Sequence, residues 1–133
     1  SFTVQGARVA LCMLRGAKPV EIRRQSWWKP GWYNLHVGAG VCSAECARLA
    51  DVSVAAVPEE ASPHKSSVAG QVLLGRVVAS SIADQPWTRA AGGEWSYAIL
   101  GSREFVAPLQ GIKGGQGVWY VKDPPGVCRC CRR

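Results

Sequence analysis

The sequence predicts a small α+β domain in which five to six short strands curve into a β-barrel and one or two short helices pack alongside. Three observations indicate this fold class. The length of 133 residues suits one domain with a hydrophobic core of its own. Several short segments alternate apolar with polar residues, or are rich in β-branched residues, as strands are. The 15 glycines supply the turns and bends that a strongly curved sheet requires.

The first predicted elements are a helix and the turn that ends it. Residues 7–15 (ARVALCMLR) have one apolar face and one basic face, and the basic face contains Arg8 and Arg15. Gly16 is placed to terminate this helix, and Pro19 disfavours its continuation. The chain is therefore expected to leave the helix as a strand.

That strand separates core residues from candidate site residues. In PVEIRR, Val20 and Ile22 point to one side and Glu21 and Arg23 to the other, because successive side chains of a strand alternate. We expect Val20 and Ile22 to face the core, and Glu21 and Arg23 to point away from it. Lys18 lies between helix and strand, where its side chain reaches the same side as Glu21 and Arg23.

The rest of the chain adds five strands, one helix and one long loop. Ser43 is placed to cap a helix over residues 44–50, and the Pro/Ser-rich residues 58–70 are expected to form a surface loop. Gly75 lies inside an apolar strand, where it predicts a bulge or bend. The five strands are WYNLHV (32–37), QVLLGRVVA (71–79), WSYAIL (95–100), EFV (104–106) and GVWYV (117–121).

A short motif links this pattern to a known family. GAKPVEIR, residues 16–23, matches the GxKxxExR signature of the ASCH domain family, a branch of the PUA-like β-barrels. Residues 29–40, 70–80 and 95–121 are similar to further family blocks in the same order. The layout resembles most closely the ASCH domain of activating signal cointegrator proteins. The chain departs from many members where it carries Gln5-Gly6-Ala7, since they have Gln-Pro-Trp before the first helix.

The resemblance implies domain boundaries, a fold and a site. It implies a PUA-like barrel over residues 1–122, followed by a Cys/Arg-rich tail over residues 123–133. In the family's fold, a cleft between the barrel and the first helix brings the signature residues together, here Lys18, Glu21 and Arg23. Lysine offers a point charge to phosphate, arginine a planar fork, and glutamate an acceptor for an exocyclic amine. The resemblance therefore implies recognition of RNA or of a nucleotide.

Charge and aromatic content independently favour a polyanionic partner. The net charge is +7 and the isoelectric point is about 9.4. Three tryptophans at positions 27, 28 and 32 surround Lys29, and single-stranded bases stack on exposed indoles beside cations. Since neighbouring side chains on a strand face opposite ways, we expect at least one of Trp27 and Trp28 to be exposed. The candidate nucleic-acid-binding residues are Arg8, Arg15, Lys18, Glu21, Arg23, Trp27, Trp28, Lys29 and Lys113.

Two of the remaining aromatic and basic residues receive separate predictions. Lys113 lies in the glycine-rich GIKGGQG, whose backbone amides are able to bind an anion together with the lysine, but a flexible turn is the simpler interpretation. Trp119 lies in the apolar segment GVWYV and is assigned to the core.

An enzyme is the first alternative. Some small ASCH proteins are amidohydrolases that deacetylate N4-acetylcytidine with the signature lysine, here Lys18, and a threonine three residues later. In this chain Glu21 occupies the position of that threonine. A lysine that acts as a base needs its neutral amine, whereas an adjacent carboxylate favours the charged ammonium. If Glu21 were the base instead, Arg23 would weaken it by lowering its pKa.

Two further alternatives assign the signature or the domain a different role. Lys18, Glu21 and Arg23 are also consistent with a purely structural ion-pair network that closes the barrel. The domain is also consistent with a protein-interaction subunit of a larger ribonucleoprotein or transcription assembly, with its basic surface facing RNA or an acidic partner.

The six cysteines do not have the distribution of a secreted disulfide framework. Cys42 and Cys46, together with Cys128 and Cys131 of the tail, are the candidates for a four-thiolate zinc site. The alternative is that these thiols are reduced and unpaired. We expect an intracellular protein, with the compartment undetermined.

The last predictions concern the two histidines and the absence of a long apolar segment. His36 lies within a predicted strand and is expected to be half-buried and hydrogen-bonded. His64 lies in the polar loop and has no catalytic partner at recognisable spacing. No apolar run approaches the about 18 residues of a membrane span, and no cofactor motif is present. We therefore expect neither a membrane partner nor a cofactor.

Overall fold

A computed structural model describes residues 1–38, 40, 42–53, 66–115 and 117–119 of the chain. In these residues the predicted α+β class is confirmed, with five strands and with three helices where one or two were expected. None of the three helices has the length and apolar character needed to cross a membrane. The elements in chain order are β1 (Phe2–Gln5), α1 (Ala7–Leu14), β2 (Val20–Arg23), β3 (Gly31–Gly38), α2 (Ala44–Ser53), β4 (Ser67–Ala79), α3 (Pro86–Ala91) and β5 (Trp95–Leu109).

The five strands form one curled sheet in the order β1-β3-β4-β5-β2. β1 runs parallel to β3, and the other neighbouring strands are antiparallel. The strands at the two ends of this order, β1 and β2, are joined by a side chain, because the guanidinium of Arg23 donates a hydrogen bond to the carbonyl oxygen of Thr3 at 2.8 Å. The sheet therefore curls into a half-barrel whose two edges meet across Arg23.

Helix α1 lies between two hydrophobic clusters. Its residues Leu11 and Met13 pack with the inner side of the sheet, and Val9 and Cys12 pack with β2, α2 and α3. Seven of its eight residues are buried. The predicted helix is confirmed, and Arg8 and Arg15 of the expected basic face are the only residues of 7–15 that are not buried. Gly16 follows it with a φ of 81°, a left-handed conformation that favours glycine at a helix end.

Several strand boundaries differ from those expected. β4 begins at Ser67, so residues 67–70 belong to a buried strand and not to the predicted surface loop. The predicted strands 95–100 and 104–106 are one strand, β5, which pairs with β4 through several register shifts. Residues 117–119 do not form a strand. Long-range pairing decides these boundaries, and local alternation does not reveal it.

Two short elements were not predicted at all. β1 has only four residues, and its pairing partner β3 begins at Gly31, which lies 26 positions after the last residue of β1, Gln5. α3 has six residues, which is too short for a clear helical period, although Pro86 at its first turn and the left-handed Gly92 after it mark both ends.

Two local predictions are confirmed. The pairing of β4 with β5 shifts its register between Leu74 and Val77, on either side of Gly75, as expected for a bend at this glycine. The hydroxyl of Ser43 accepts a hydrogen bond from the Cys46 N–H at 3.2 Å, and α2 begins at the next residue, Ala44.

Gly70 is the position at which the sheet tolerates a side chain least. A Cβ there would contact the backbone oxygen of Arg103 and would lie 2.8 Å from a methyl carbon of Leu14. Gly70→Ala should therefore lower the free energy of unfolding by about 1 to 3 kcal/mol, as measured by urea denaturation.

The matched control is Gly101→Ala in β5. A Cβ at Gly101 would lie 3.6 Å from its nearest neighbour, a ring carbon of Trp32, which is an ordinary contact. Equal stability losses in the two variants would show that the close approach at Gly70 does not constrain the sheet.

Candidate functional site

The signature residues lie at the junction between α1 and β2. After Gly16 turns the chain, the N–H of Lys18 donates to the Cys12 carbonyl at 2.9 Å, which fixes the start of the segment against α1. β2 follows and pairs with the first residues of β5. The side chains of Lys18, Glu21 and Arg23 are thereby brought together, as the sequence predicts.

Glu21 is the centre of this group. One carboxylate oxygen lies 3.2 Å from Lys18 Nζ and also accepts the Ile22 N–H at 3.1 Å. The other oxygen accepts a hydrogen bond from Arg23 Nη2 at 3.2 Å. We refer to Lys18, Glu21 and Arg23 as the signature network.

The signature network is buried, which corrects one expectation. Glu21 and Arg23 share a side of β2 and are in contact, but Lys18 and Glu21 are each only 4% exposed. The open cleft expected around these two residues is absent from the described part of the chain. The reason is that β1 and aromatic side chains cover the side of β2 that was expected to face solvent.

Aromatic rings surround both cations. The Arg23 guanidinium lies 4.8 Å from the ring centroid of Trp28 and 5.2 Å from that of Phe2. Lys18 Nζ lies 5.6 Å from the ring centroid of Trp87, whose indole N–H donates to the Ala17 carbonyl. Cations on ring faces gain electrostatic stabilisation that partly replaces their lost hydration.

The charges of the signature network keep Glu21 ionised. Burial acts to raise the pKa of Glu21, but the charges and hydrogen bonds of Lys18 and Arg23 outweigh burial and hold this pKa below its ordinary value of 4.5. A carboxylate held in this way is a poor general base. The signature network contains two cations and one carboxylate, so it carries a net charge of about +1.

A cavity of about 300 Å³ opens beside Arg23. One wall consists of residues 22–25, which include Arg23, Arg24 and Gln25, and the other consists of residues 91–93 at the end of α3. Gly92 has open space where a side chain would lie, so a ligand in this cavity can approach its backbone closely. We call this cavity the β2–α3 groove.

The loop between β2 and β3, residues 24–30, continues from the β2–α3 groove. The Tyr97 hydroxyl donates to the Gln25 carbonyl at 2.7 Å and accepts the Trp28 N–H at 3.2 Å. The Tyr33 hydroxyl donates to the Lys29 carbonyl at 2.6 Å. Tyr97 of the core and the partly buried Tyr33 thus both hydrogen-bond the backbone of this loop.

The two adjacent tryptophans of this loop have different environments. Trp27 is 74% exposed, whereas Trp28 is 4% exposed and packs against Phe2, Tyr33 and Tyr97. The prediction that at least one of the pair is exposed is confirmed, although both lie in a loop and not on a strand. Trp28 is a core residue, so its ring does not offer the stacking surface that the sequence suggested.

The other candidate cations lie apart from the signature network. Arg8 forms an ion pair with Asp51 of α2, and Arg15 forms two hydrogen bonds, of 2.9 and 3.2 Å, with Glu104 of β5. Lys113 is exposed on the loop after β5 and makes no contact with the signature network.

Some cations in the described residues have no acidic partner. Arg24 and Lys29 flank exposed Trp27, and sequence analysis missed Arg24 because nothing separates it from other surface arginines. Trp87, whose ring lies beside Lys18 Nζ, was also missed. The described cations without an acidic partner are Arg24, Lys29, Arg76, Arg103 and Lys113.

The described residues contain no cluster of three or more metal-ligating side chains. Cys42 and Cys46 are partly buried free thiols, and burial raises the pKa of Cys42. Cys128 and Cys131 lie outside the described residues, as does the whole predicted tail, so the four-thiolate site stays a prediction.

The remaining single-residue predictions have mixed outcomes. His36 is buried, and its ring nitrogens contact the Thr3 hydroxyl at 3.0 Å and the Ile112 carbonyl at 2.6 Å, which confirms its hydrogen-bonded role. Trp119 is only half-buried, beside His36, and does not belong to the core clusters. His64 lies outside the described residues.

Comparison with known proteins yields no family assignment. No protein-family model matches the chain, and no curated protein matches it significantly. The functional interpretation therefore rests on the signature network, the β2–α3 groove and the loop between β2 and β3.

Removing the charge of Glu21 should destabilise the fold. Glu21→Gln leaves the two cations of the signature network buried without a carboxylate, which should lower the free energy of unfolding by about 3 kcal/mol or more. Chemical denaturation at neutral pH measures this loss. Glu45→Gln, which breaks an exposed pair with Arg48 on α2, is the matched control and should change stability by about 0.5 kcal/mol at most.

The same carboxylate should produce a pH dependence of stability. The pKa of Glu21 is lower in the folded than in the unfolded protein, so its contribution is complete above the ordinary value of 4.5 and is lost as the pH falls through the folded pKa. Wild type should lose more stability than Glu21→Gln between about pH 5 and about pH 3. Parallel stability curves for the two proteins over this range would contradict the assigned ion pairs.

The Tyr97 hydroxyl should control the order of the loop between β2 and β3. Tyr97→Phe leaves the buried Trp28 N–H and the Gln25 carbonyl without this partner, which should cost about 1 to 3 kcal/mol. Hydrogen exchange of the Trp28 amide should accelerate more than that of strand amides in β4. An unchanged exchange rate at Trp28 would show that other contacts hold the loop.

Proposed function

We propose that this protein is a nucleic-acid-binding module that recognises RNA or a nucleotide through the β2–α3 groove and the adjoining loop. The observation that carries the proposal is the excess positive charge beside this groove. The signature network holds one more cation than carboxylate, and Arg24, which has no acidic partner in the described residues, lies next to Arg23 in the groove wall. A phosphate is the ligand group that this charge and the glycine-lined opposite wall suit best.

The loop extends the proposed site along a strand of nucleic acid. Trp27 and Lys29 follow Arg24 and are exposed, so a single strand with a phosphate at Arg24 would meet an indole and then a second cation. An exposed indole between cations supports base stacking together with phosphate contacts. The tyrosine hydrogen bonds hold the loop before any ligand arrives, which reduces the entropy cost of binding.

We also propose that the domain is a PUA-like barrel of the ASCH type. The curled sheet supports this, as does the place of GAKPVEIR at the junction of α1 and β2, where its charged residues connect the edges of the sheet. This assignment and the ligand class are separate proposals, because a shared fold does not by itself fix a ligand.

The hydrolysis of N4-acetylcytidine has less support. Lys18 Nζ is occupied by the Glu21 carboxylate at 3.2 Å, and the lowered pKa of Glu21 makes this carboxylate a weak proton acceptor. A role in a larger ribonucleoprotein or transcription assembly is compatible with RNA binding and has no separate observation in its favour.

The test uses the exposed residues of the proposed site, because Lys18 and Arg23 also support the fold. Arg24→Gln and Lys29→Gln should each weaken binding of a labelled single-stranded RNA of about eight nucleotides. Each should also reduce the slope of log affinity against log salt by about 0.7, the value for one phosphate contact on a single strand. Fluorescence anisotropy over a series of salt concentrations measures both quantities.

The matched control is Arg48→Gln on α2. Arg48 is an exposed arginine like Arg24, but it is paired with Glu45 and lies away from the β2–α3 groove. If Arg24→Gln and Arg48→Gln change affinity and salt slope equally, binding depends on overall charge and the proposed site is wrong.

A further inference from the structure

A second surface with a cation and an aromatic ring lies on the outer face of the sheet, which is the face turned away from the core. Tyr33 and Leu35 of β3 point into the core, so the alternating residues Trp32 and Asn34 lie on the outer face. In the pairing register, Asn34 lies opposite Gln71 of β4, and Gln71 lies opposite Arg103 of β5. These side chains therefore form part of one outer surface across three strands.

Trp32 and Arg103 form a stacked pair on this surface. The Arg103 guanidinium carbon lies 4.1 Å from the ring centroid of Trp32, and Trp32 is 43% exposed. Gly101 lies beside the indole, since a Cβ there would be 3.6 Å from a ring carbon of Trp32. Trp32 therefore lies over Gly101 on the outer face of the sheet and keeps much of its ring surface in solvent.

A chain of polar side chains supports Arg103 in this position. Asn34 donates to the Ser1 hydroxyl at 3.1 Å, and Gln71 donates to the Asn34 side-chain oxygen at 3.1 Å. The guanidinium of Arg103 in turn lies 3.5 Å from the Gln71 side-chain oxygen. Arg103 has no acidic partner in the described residues, so its charge is available to an anion from outside.

We propose that Trp32 and Arg103 form a stacking platform for a base of single-stranded nucleic acid. The proposal rests on the proposed function and extends it to a second face of the protein. A base adds to the stack of guanidinium and indole, and the other N–H groups of Arg103 face the neighbouring phosphate. Single strands are favoured because a duplex keeps the faces of its bases stacked on each other.

The experiment compares a single-stranded RNA of about eight uridines with an abasic strand of the same length and charge. Wild type should bind the strand with bases more tightly than the abasic strand. Trp32→Ala should weaken binding of the strand with bases by about fivefold or more and leave binding of the abasic strand unchanged. Fluorescence anisotropy at one fixed salt concentration measures both affinities.

Two conservative variants separate stacking from charge and from folding. Trp32→Phe keeps an aromatic ring and should retain most of the preference for bases. Arg103→Lys keeps the charge but loses the planar group, so it should lower affinity for the strand with bases more than affinity for the abasic strand.

Two results would overturn the platform while leaving nucleic-acid binding intact. One is an equal affinity of wild type for both strands, and the other is a loss in Trp32→Ala that is the same for both strands. If wild type binds neither strand, the proposed function itself has failed. The comparison therefore distinguishes a wrong platform from a wrong ligand class.

Discussion

The contact between Arg23 and the two edges of the sheet is the constraint on which the rest of the structure depends. β1 and β2 stand at opposite ends of the strand order, and the Arg23 guanidinium joins them by contacting Glu21 on its own strand and the Thr3 carbonyl on the other. Arg23 also joins Lys18 in balancing the buried Glu21 carboxylate. The closure of the sheet and the burial of charge are therefore one feature.

This closure explains how the charged residues divide between fold and proposed ligand. Lys18 and Glu21 are buried and paired, so their first role is to hold α1, β2 and β1 together. Arg23 has a role in the fold and a place in the proposed site, since it connects the edges of the sheet and also lines the β2–α3 groove. Arg24 and Lys29 are exposed and can respond to a ligand without loss of the core. The structural interpretation of the signature and the binding interpretation are compatible, because they use different atoms of one charged region.

The aromatic residues follow the same division. Trp28 fills the core beside Phe2, and its burial positions the adjacent Trp27 in solvent. Tyr97 supports this arrangement because its hydroxyl binds the loop at two points. On the outer face, Trp32 is half-exposed, and the Arg103 guanidinium lies over its ring. The inner face of the sheet thus packs its rings against each other, whereas the loop and the outer face present theirs beside cations.

The sequence by itself determined the local features: the helix that ends before Gly16, the alternation along β2, the Ser43 cap and the bend at Gly75. Each depends on residues close together in the chain, so periodicity and turn chemistry were sufficient. Only the tertiary structure decided that Glu21 and Lys18 are buried. The side of β2 that carries Glu21 is covered where Arg23 hydrogen-bonds to Thr3 of β1. Lys18 is covered by the ring of Trp87 from α3. Alternation says which residues share a side of a strand, but distant segments decide whether that side meets water.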